Sequence, residues 1–387
     1  RIPLSEPRRS RLINSSRIIH RLWIEDQLSR ADLAIRLGLT KSSISNIVND
    51  LISLGIVIEN EVLEASPKGG RRAIGLTLNK AYFHVIGIEI RSDSYTALSI
   101  DLEGKVLFSQ TKPKGFTAKT FRLEVCDLIE SLCKSLEGMR RHLLGIGIGF
   151  SGVIDAENQI IYRSVSLDFQ QPFDFQKEIA SHFPFPVILE NDANCGAWGE
   201  VVFQRKQKLK NFLFVLIEFW KRYEVQTASP QPTIGLGFGF DGKIYRGSSS
   251  QAGEFKSVCN REATSLQQVQ IPDGVSVSED GEALHNYIQE ICQNLAFLIN
   301  TLDIGHVFIG GTIEPFASFM PDMLRKELKA NSLIQSDGNC QIQFSSLGYD
   351  AVSFGAAALV LDKVLMNLEP LNENSAKQAV PLFHLLS

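Results

Sequence analysis

Residues 29–59 read SRADLAIRLGLTKSSISNIVNDLISLGIVIE, and this stretch predicts two helices joined by a tight turn and followed by a strand. Ser29 and Asp32 form the Ser-x-x-Asp signal that starts a helix, and Gly38 supplies the left-handed residue that ends it. Thr40 caps a second helix, whose apolar residues recur at helical spacing until the next glycine. The pattern is typical of a helix-turn-helix.

The polar face of the second helix carries short hydrogen-bonding side chains in place of long charged ones. When such a helix lies in the major groove, Asn makes paired hydrogen bonds to adenine and Ser bonds base edges or phosphate oxygens. We therefore predict DNA contacts from Lys41, Ser42, Ser43, Ser45, Asn46 and Asn49. An ordinary helical hairpin with a polar face is the alternative.

The flanking segments predict a winged helix-turn-helix over residues 1–78. Residues 11–26 place apolar side chains on one side of a helix that would cover the hairpin. Two short strands, Ile56–Ile58 and Ala73–Leu78, lie on either side of a segment that ends in a basic, glycine-rich loop. Its cations suit phosphates or a narrow minor groove, so we predict further DNA contacts from Lys68, Arg71 and Arg72. A solvated basic loop is the alternative.

Composition indicates a globular protein of two or three domains. A chain of 387 residues is too long to form one small core. Its contents of 44% hydrophobic and 21% charged residues are ordinary for a soluble protein. Residues 1–75 hold 12 Lys and Arg against 8 Asp and Glu, whereas the whole chain carries −4. A basic head on an acidic body favours nucleic-acid binding by the head.

Cysteine usage and hydropathy bear on the compartment. The six cysteines are scattered and form no Cys-x-x-Cys pair, so we expect reduced, mostly buried thiols. The sequence has neither a long apolar run nor a signal-peptide pattern. These features predict a cytoplasmic protein.

From residue 82 onward, strands alternate with helices, which predicts α/β architecture. We expect strands at residues 85–90, 95–101, 105–109, 143–150, 187–189 and 212–219, and helices at residues 121–136 and around 175–181. The strand at 187–189 delivers Asn191 and Asp192 at its carboxyl end, where α/β proteins bind ligands.

Five motifs follow one another along this part of the chain. They are ENDANCGAWGE (190–200), GFDGKIYRG (239–247), QAGEF (251–255), FIGGTIEPF (308–316) and AVSFGAAAL (351–359). With the winged head in front of them, they resemble the ROK family of sugar kinases and sugar-responsive repressors, and in particular its repressor branch.

The resemblance implies an actin-like body of two α/β lobes around a cleft, and a homodimer or homotetramer. We place the first lobe at residues 82–191 and the second at residues 192–387. Whether the C-terminal segment returns to the first lobe is left open.

The resemblance also implies a sugar site. In the family's kinases the Asp that matches Asp192 is the general base, and the neighbour that matches Asn191 holds other hydroxyls; Glu254 is a further hydroxyl acceptor. Helix-capping or loop-bonding carboxylates are the alternative for Asp192 and Glu254. The ligand-binding prediction is therefore Asn191, Asp192 and Glu254.

Phosphoryl transfer also needs a cradle for the ATP phosphates. The kinases have Asp-x-Gly-Gly-Thr where this chain has Glu89–Ser94, which lacks both glycines. Their second glycine loop matches Thr233–Gly237, which keeps two glycines of three. We therefore predict no catalytic residue, with Asp192 a vestigial base, and no cofactor.

The family's zinc site needs a His and a cluster of cysteines. Ser257 stands at the His position, and the segment after it holds only Cys259. One thiolate cannot replace three in a tetrahedral site, so we predict no zinc.

These observations favour a sugar-responsive transcriptional regulator, most simply a repressor, whose partners are duplex operator DNA and a sugar or sugar-phosphate effector. Two alternatives are a sugar kinase with an appended head and a regulator whose body binds no ligand and serves oligomerisation or partner binding.

Overall fold

The structure is a computed structural model that describes residues 6–62, 73–139, 141–204, 209–219, 232–261, 267–272, 274–333 and 340–366. Within these ranges, helices and a two-stranded sheet form an N-terminal head, and two five-stranded sheets with their helices form the body. None of the described helices combines the length and the apolar character that a bilayer crossing needs.

The head contains α1 (Glu6–Glu25), α2 (Arg30–Leu37), α3 (Lys41–Ser53), β1 (Val57–Val62) and β2 (Ile74–Leu78). A capping box starts α2, because the Ser29 side chain accepts from the Asp32 backbone N–H and the Asp32 carboxylate accepts from the Ser29 backbone N–H. Gly38 ends α2 at φ +66°, and the Thr40 side chain caps α3. β1 and β2 pair antiparallel. The winged helix-turn-helix predicted from the sequence is confirmed.

The first lobe is built on one mixed sheet, formed by β3 (Phe83–Ile90), β4 (Ser94–Ile100), β5 (Val106–Pro113), β6 (His142–Phe150) and β10 (Val187–Asn191). The apolar stripe of α4 (Phe121–Leu136) is buried in the core of this lobe. Between β6 and β10, a small sheet of β7 (Val153–Asp155), β8 (Ile160–Arg163) and β9 (Phe173–Asp174) precedes α5 (Phe175–Glu178). The sequence predicts a helix as far as Ser181, but α5 has only four residues and is followed by a 3₁₀ turn at Ala180–His182.

The second lobe repeats this topology with β11 (Asn211–Glu218), β12 (Thr233–Phe240), β13 (Lys243–Tyr245), β14 (His306–Gly311) and β15 (Gln341–Phe344). Counted in chain order within each lobe, both sheets have the strand order 3-2-1-4-5. α7 (Gly281–Leu302) and α8 (Met320–Ala330) contribute to the apolar core of this sheet. The body is the two-lobed, actin-like α/β fold that the sequence predicts.

Two helices fill the space between the sheets. α6 (Asp192–Phe203) packs on β11 and β12, whereas α9 (Ala351–Met366) packs on β3, β4 and β6. α6 is buried on every side, which explains why its sequence has no polar face. The C-terminal helix therefore lies on the first sheet, although it follows the last strand of the second. The lobe limits 82–191 and 192–387 stay predictions.

Glycines set the separation of these central layers. A Cβ on Gly355 of α9 would lie 1.6 Å from the Cys195 carbonyl oxygen of α6, and a Cβ on Gly87 of β3 would lie 1.8 Å from the Ser353 carbonyl oxygen of α9. Real Cβ atoms do not approach backbone atoms this closely, so α9 can lie this near to α6 and to β3 only because these two positions carry no side chain.

This contact gives a stability test. Gly355→Ala should lower the free energy of unfolding by about 3 kcal/mol, at the upper end of the cost of overpacking a core. Gly138→Ala is the control, because no atom lies within 4 Å of its new Cβ, and it should change stability by less than about 0.5 kcal/mol. Denaturant unfolding measures both, and equal stabilities would contradict this account of the packing.

Candidate functional site

The three predicted ligand residues line one cavity of about 470 Å³ at the carboxyl end of β10. Asn191 and Asp192 enter it from the junction of β10 and α6, and Glu254 enters from the segment that follows β13. A cavity of this size is within the range of small-molecule sites. Ser151, Ser166, Asn194, Thr233, Lys256 and Gln268 add polar groups to its wall.

Backbone contacts hold the side chains of Asn191 and Asp192 in place. The Asn191 side chain caps α6 by accepting from the Asn194 N–H at 3.2 Å, and it donates to the Gly152 carbonyl at 3.1 Å. One oxygen of Asp192 accepts from the Ala193 N–H at 2.8 Å. Each side chain thus has a structural partner and still reaches the cavity, so the capping role and the ligand role are compatible.

The segment of Glu254 is fixed by close backbone approach. Glu254 forms an isolated bridge with Gly235 of β12. Gly253 has φ +97°, and a Cβ there would lie 1.8 Å from the Leu236 carbonyl oxygen. Only glycine allows this path, which aims the next side chain into the cavity.

The two carboxylates of the cavity are poor at carrying charge. Burial, together with the nearby charge of Glu254, raises the pKa of Asp192 to about 6. Burial also raises the pKa of Glu254. Hydroxyl donors would relieve this cost by hydrogen-bonding the ionised forms, so the site suits a polyhydroxylated ligand.

Arg91 is buried between the lobes, at the end of β3. Its Nη2 atom lies 2.8 Å from Glu89 Oε1 and 3.8 Å from Glu218 Oε2, and its guanidinium carbon lies 5.1 Å from the centre of the Tyr349 ring. Glu89 belongs to the first sheet and Glu218 ends β11 of the second. One arginine therefore ties both sheets together where the resemblance places the first phosphate loop of the kinases.

The acids around Arg91 outnumber it. Burial raises the pKa of Glu89 to about 7 and that of Glu218 to about 8, although the charge of Arg91 lowers both. Glu89 Oε2 is buried and makes no hydrogen bond to the described residues. The cluster therefore holds protons in the neutral range and offers carboxyl groups, not the backbone N–H groups of a phosphate cradle.

The second glycine motif has a packing role in the structure. Thr233–Gly237 lies within β12 and is not a loop. A Cβ on Gly235 would lie 2.9 Å from the Ala193 Cβ, and a Cβ on Gly237 would lie 2.5 Å from the Ala193 carbonyl oxygen. These two glycines let α6 approach the second sheet, which accounts for them without a nucleotide.

The segment expected to replace the zinc site is held by side-chain amides. Ser257 is buried; its hydroxyl accepts from Asn294 Nδ2 at 3.2 Å, and Asn294 Oδ1 accepts from the Val258 N–H at 2.9 Å. Gln268 bonds the backbone of Ile234 through both its amide atoms. Among the described residues, no three His, Cys, Asp or Glu side chains are placed to hold a metal. This donor set does not fit a structural zinc, and the absence of zinc stays a prediction.

The head exposes four of the six predicted DNA residues that lie on α3. Lys41, Ser42, Asn46 and Asn49 are exposed and Ser43 and Ser45 are half-buried, all on α3. Asn49 is already engaged, because its Oδ1 accepts from Arg30 Nη2 at 3.1 Å, and Arg30 also pairs with Glu59 at 2.7 Å. Lys68, Arg71 and Arg72 lie outside the described residues.

Sequence reasoning missed Arg30, Asn194 and Arg91. Arg30 is the first residue of α2, eleven residues before α3 begins. It contacts Asn49 of α3 because the turn brings the two helices together. Asn194 lines the cavity, and its buried Oδ1 makes no hydrogen bond to the described residues. The sequence did not single it out, because an Asn in the first turn of a helix is ordinarily interpreted as a cap. Arg91 lies in the segment that lacks the glycines of the kinases, so the sequence drew attention to the missing glycines and not to the arginine. Its two carboxylate partners come from different lobes.

A profile of the ROK family matches residues 85–257. Over these residues the chain is similar to the ROK family. It is similar over most of its length to the xylose repressor of Bacillus subtilis strain 168, at 24% identity over 385 residues that cover 91% of this chain and 96% of the repressor. The similarity thus includes the head as well as the body.

Solved ROK structures share the fold. A ROK family transcriptional regulator, a homologue of the E. coli Mlc protein, matches with a TM-score of 0.69 at 18% identity and covers 98% of both chains. A ROK family glucokinase from Streptomyces griseus, in complex with glucose and AMPPNP, matches with a TM-score of 0.57 at 19% identity and covers 71% of this chain and 98% of the kinase.

The buried acids predict a pH-dependent stability. Glu89 and Glu218 have pKa values raised above the ordinary 4.5, so the folded protein binds more protons than the unfolded chain between those values. The free energy of unfolding should therefore fall as pH rises from about 4.5 through about 8. Glu218→Gln, which keeps the shape but does not titrate, should flatten this fall.

Denaturant unfolding at several pH values measures the effect. Glu130→Gln on the exposed face of α4 is the control and should leave the pH profile unchanged. A Glu218→Gln profile identical to that of the unmodified protein would show that the cluster does not hold the extra protons.

Proposed function

We propose that this chain is a transcriptional repressor that binds operator DNA through its head and senses a sugar or sugar phosphate in its body. The observation that carries the proposal is the presence, in one chain, of an exposed polar α3 in a winged helix-turn-helix and a cavity lined by Asn191, Asp192 and Glu254. The similarity to a xylose repressor along both parts supports it.

In this proposal α3 lies in the major groove. Asn46 is exposed and makes no hydrogen bond to the described residues, so its amide is available for a base edge. Lys41, at the start of the helix, serves a phosphate. Arg30 holds Asn49 and the strand that carries Glu59, and it thereby fixes α3 relative to β1.

The body binds its ligand without phosphorylating it. A nucleoside triphosphate at the end of β3 would lie against the carboxyl groups of Glu89 and Glu218. Arg91 would not be available to its phosphates, because it is already paired with both carboxyl groups. Phosphoryl transfer needs the reverse, a cradle of donors around the phosphates. ATP-dependent sugar phosphorylation at about 1–100 per second would favour the kinase alternative.

A homodimer in the cytoplasm completes the proposal. Two heads double the contact with a two-fold related operator, and the spacing of its half-sites then reports the distance between the heads. A ligand releases DNA only by its different affinity for the two arrangements of the heads. If no sugar or sugar phosphate changes melting or DNA affinity, the ligand-free alternative is favoured.

Two contrasting variants of α3 test the proposed DNA contacts of the head. On duplexes selected by the unmodified protein from a randomised pool, Asn46→Ala should weaken binding by about 1–3 kcal/mol and relax the sequence preference. Lys41→Gln should weaken selected and scrambled duplexes alike and reduce the salt slope by about 1. Fluorescence anisotropy at several salt concentrations measures both, and an Asn46→Ala protein with unchanged preference would contradict the placement of α3.

A variant of Asp192 tests ligand binding in the cavity independently of DNA binding. Asp192→Asn keeps the acceptor for the Ala193 N–H but loses the charge, and a hydrogen bond to a charged group is worth about 1.5–3 kcal/mol, or about 10- to 150-fold in affinity. Calorimetry with D-xylose, D-glucose, N-acetyl-D-glucosamine and glucose 6-phosphate should show this loss for whichever sugar binds.

Asp127→Asn, exposed on α4, is the control for Asp192→Asn and should bind sugar normally. Without sugar, both variants should bind DNA as the unmodified protein does. A sugar affinity that Asp192→Asn leaves unchanged would place the ligand elsewhere.

A further inference from the structure

We propose that α6 carries the ligand signal from the cavity to the head, through a joint formed by Trp23 of α1, the turn Leu102–Lys105 and Phe203 at the end of α6. The inference rests on the proposed function, because it names the route by which ligand in that cavity changes DNA binding. It assigns Trp23, Gly104 and Phe203 a positioning role.

One end of α6 lies in the cavity. Asp192 is its first residue and Asn191 is its cap, and both face the ligand space. A hydroxyl that hydrogen-bonds Asp192 therefore acts directly on the first turn of this helix. The twelve residues of α6 span about 18 Å at the helical rise of 1.5 Å per residue.

The middle of α6 is packed too closely to absorb a displacement. A Cβ on Gly196 would lie 2.2 Å from the Phe214 ring, and a Cβ on Gly199 would lie 2.5 Å from the Leu347 side chain. The Cys195 carbonyl oxygen faces Gly355 of α9 at the close contact described above. Close-packed interiors transmit strain, so α6 moves as one body.

The other end of α6 meets the turn between β4 and β5. The Phe203 ring lies against Gly104, where an added Cβ would be 2.6 Å from the ring, and it stacks edge-on against Phe354 with centroids 4.9 Å apart. Gly104 has φ +85°, which favours glycine. A shift of Phe203 must therefore push on this turn.

The same turn holds the head. Trp23 Nε1 of α1 donates to the Leu102 carbonyl at 3.0 Å, and this bond is buried. Lys80, just after β2, pairs with Glu103 at 2.6 Å. The head is thus attached to the two residues that come immediately before Gly104, the residue that Phe203 touches.

The joint also has room to change. A cavity of about 440 Å³ lies between head and body, with Trp23 and Leu78 on one wall and Val202, Phe203 and Glu103 on the other. Contacts around a space of this size can rearrange without expelling packed side chains. The joint is therefore a place where two head positions can be reached at low cost.

The test separates coupling from binding in the full-length chain. Trp23→Phe keeps an aromatic ring and loses the bond to Leu102, and Gly104→Ala drives a Cβ against Phe203. Gly274→Ala is the matched control for the second variant, because Gly274 has φ +76° and no atom lies within 4 Å of its new Cβ. It reproduces the backbone strain and not the contact.

Each protein is measured for sugar affinity, for DNA affinity without sugar, and for the ratio of DNA affinities with and without saturating sugar. The sugar is the one of the four named above that binds the unmodified protein, and the DNA is a duplex selected by it. In the unmodified protein this ratio should be about 5- to 150-fold. In Trp23→Phe and Gly104→Ala both affinities should stay within about threefold while the ratio falls below about three.

The outcomes are distinguishable. A full ratio in Trp23→Phe and Gly104→Ala would overturn the joint and leave the proposed function intact. A ratio of one in the unmodified protein with every sugar tested would overturn the proposed function and the joint with it. A ratio that falls equally in Gly274→Ala would show that general strain, and not the contact with Phe203, controls the coupling, and the joint would be wrong.

Discussion

The contact between α6 and α9 is the constraint on which the rest of the structure depends. Each helix covers a different sheet, and they can lie side by side only because Gly355 leaves the Cys195 carbonyl without a clash. The pair forms the middle layer of the body, so each lobe is positioned against it. The cavity lined by Asn191 and Asp192 opens at the start of α6, and Val202 and Phe203 at its end line the space between the head and the body.

The charge cluster at the cleft decides what chemistry this body supports. Arg91 reaches Glu89 on one sheet and Glu218 on the other, and its charge opposes the rise that burial causes in the pKa values of these two carboxyls. Breaking a buried pair of this kind by removing one partner typically costs 3–5 kcal/mol. A tie of this strength favours a fixed relation between the lobes at the end of β3, whereas Asp192 and Glu254 line the open cavity. In the proposed function, the body therefore keeps ligand recognition and lacks phosphoryl transfer.

Local sequence signals predict the elements well and the long-range contacts poorly. The capping box at Ser29, the left-handed Gly38 and the apolar stripe of α4 each act within one turn of helix, and the structure follows them. The motif around Asp192 also predicts its place at the end of a strand. Arg91 pairs with a residue 127 positions away in the chain, and the Phe203 contact with Gly104 joins the end of a helix to a distant turn. No periodicity reports such contacts, because they arise only when the two lobes and the head assemble.

The most direct test of the account measures how DNA binding changes the affinity for sugar. If the cavity and the head are coupled, operator DNA must change the affinity for sugar by the same factor by which sugar changes the affinity for DNA. Calorimetric titration of the sugar into free protein and into the protein–DNA complex measures this factor. The account predicts that sugar binds the complex about 5- to 150-fold more weakly than the free protein. Equal sugar affinity in the two titrations would contradict it.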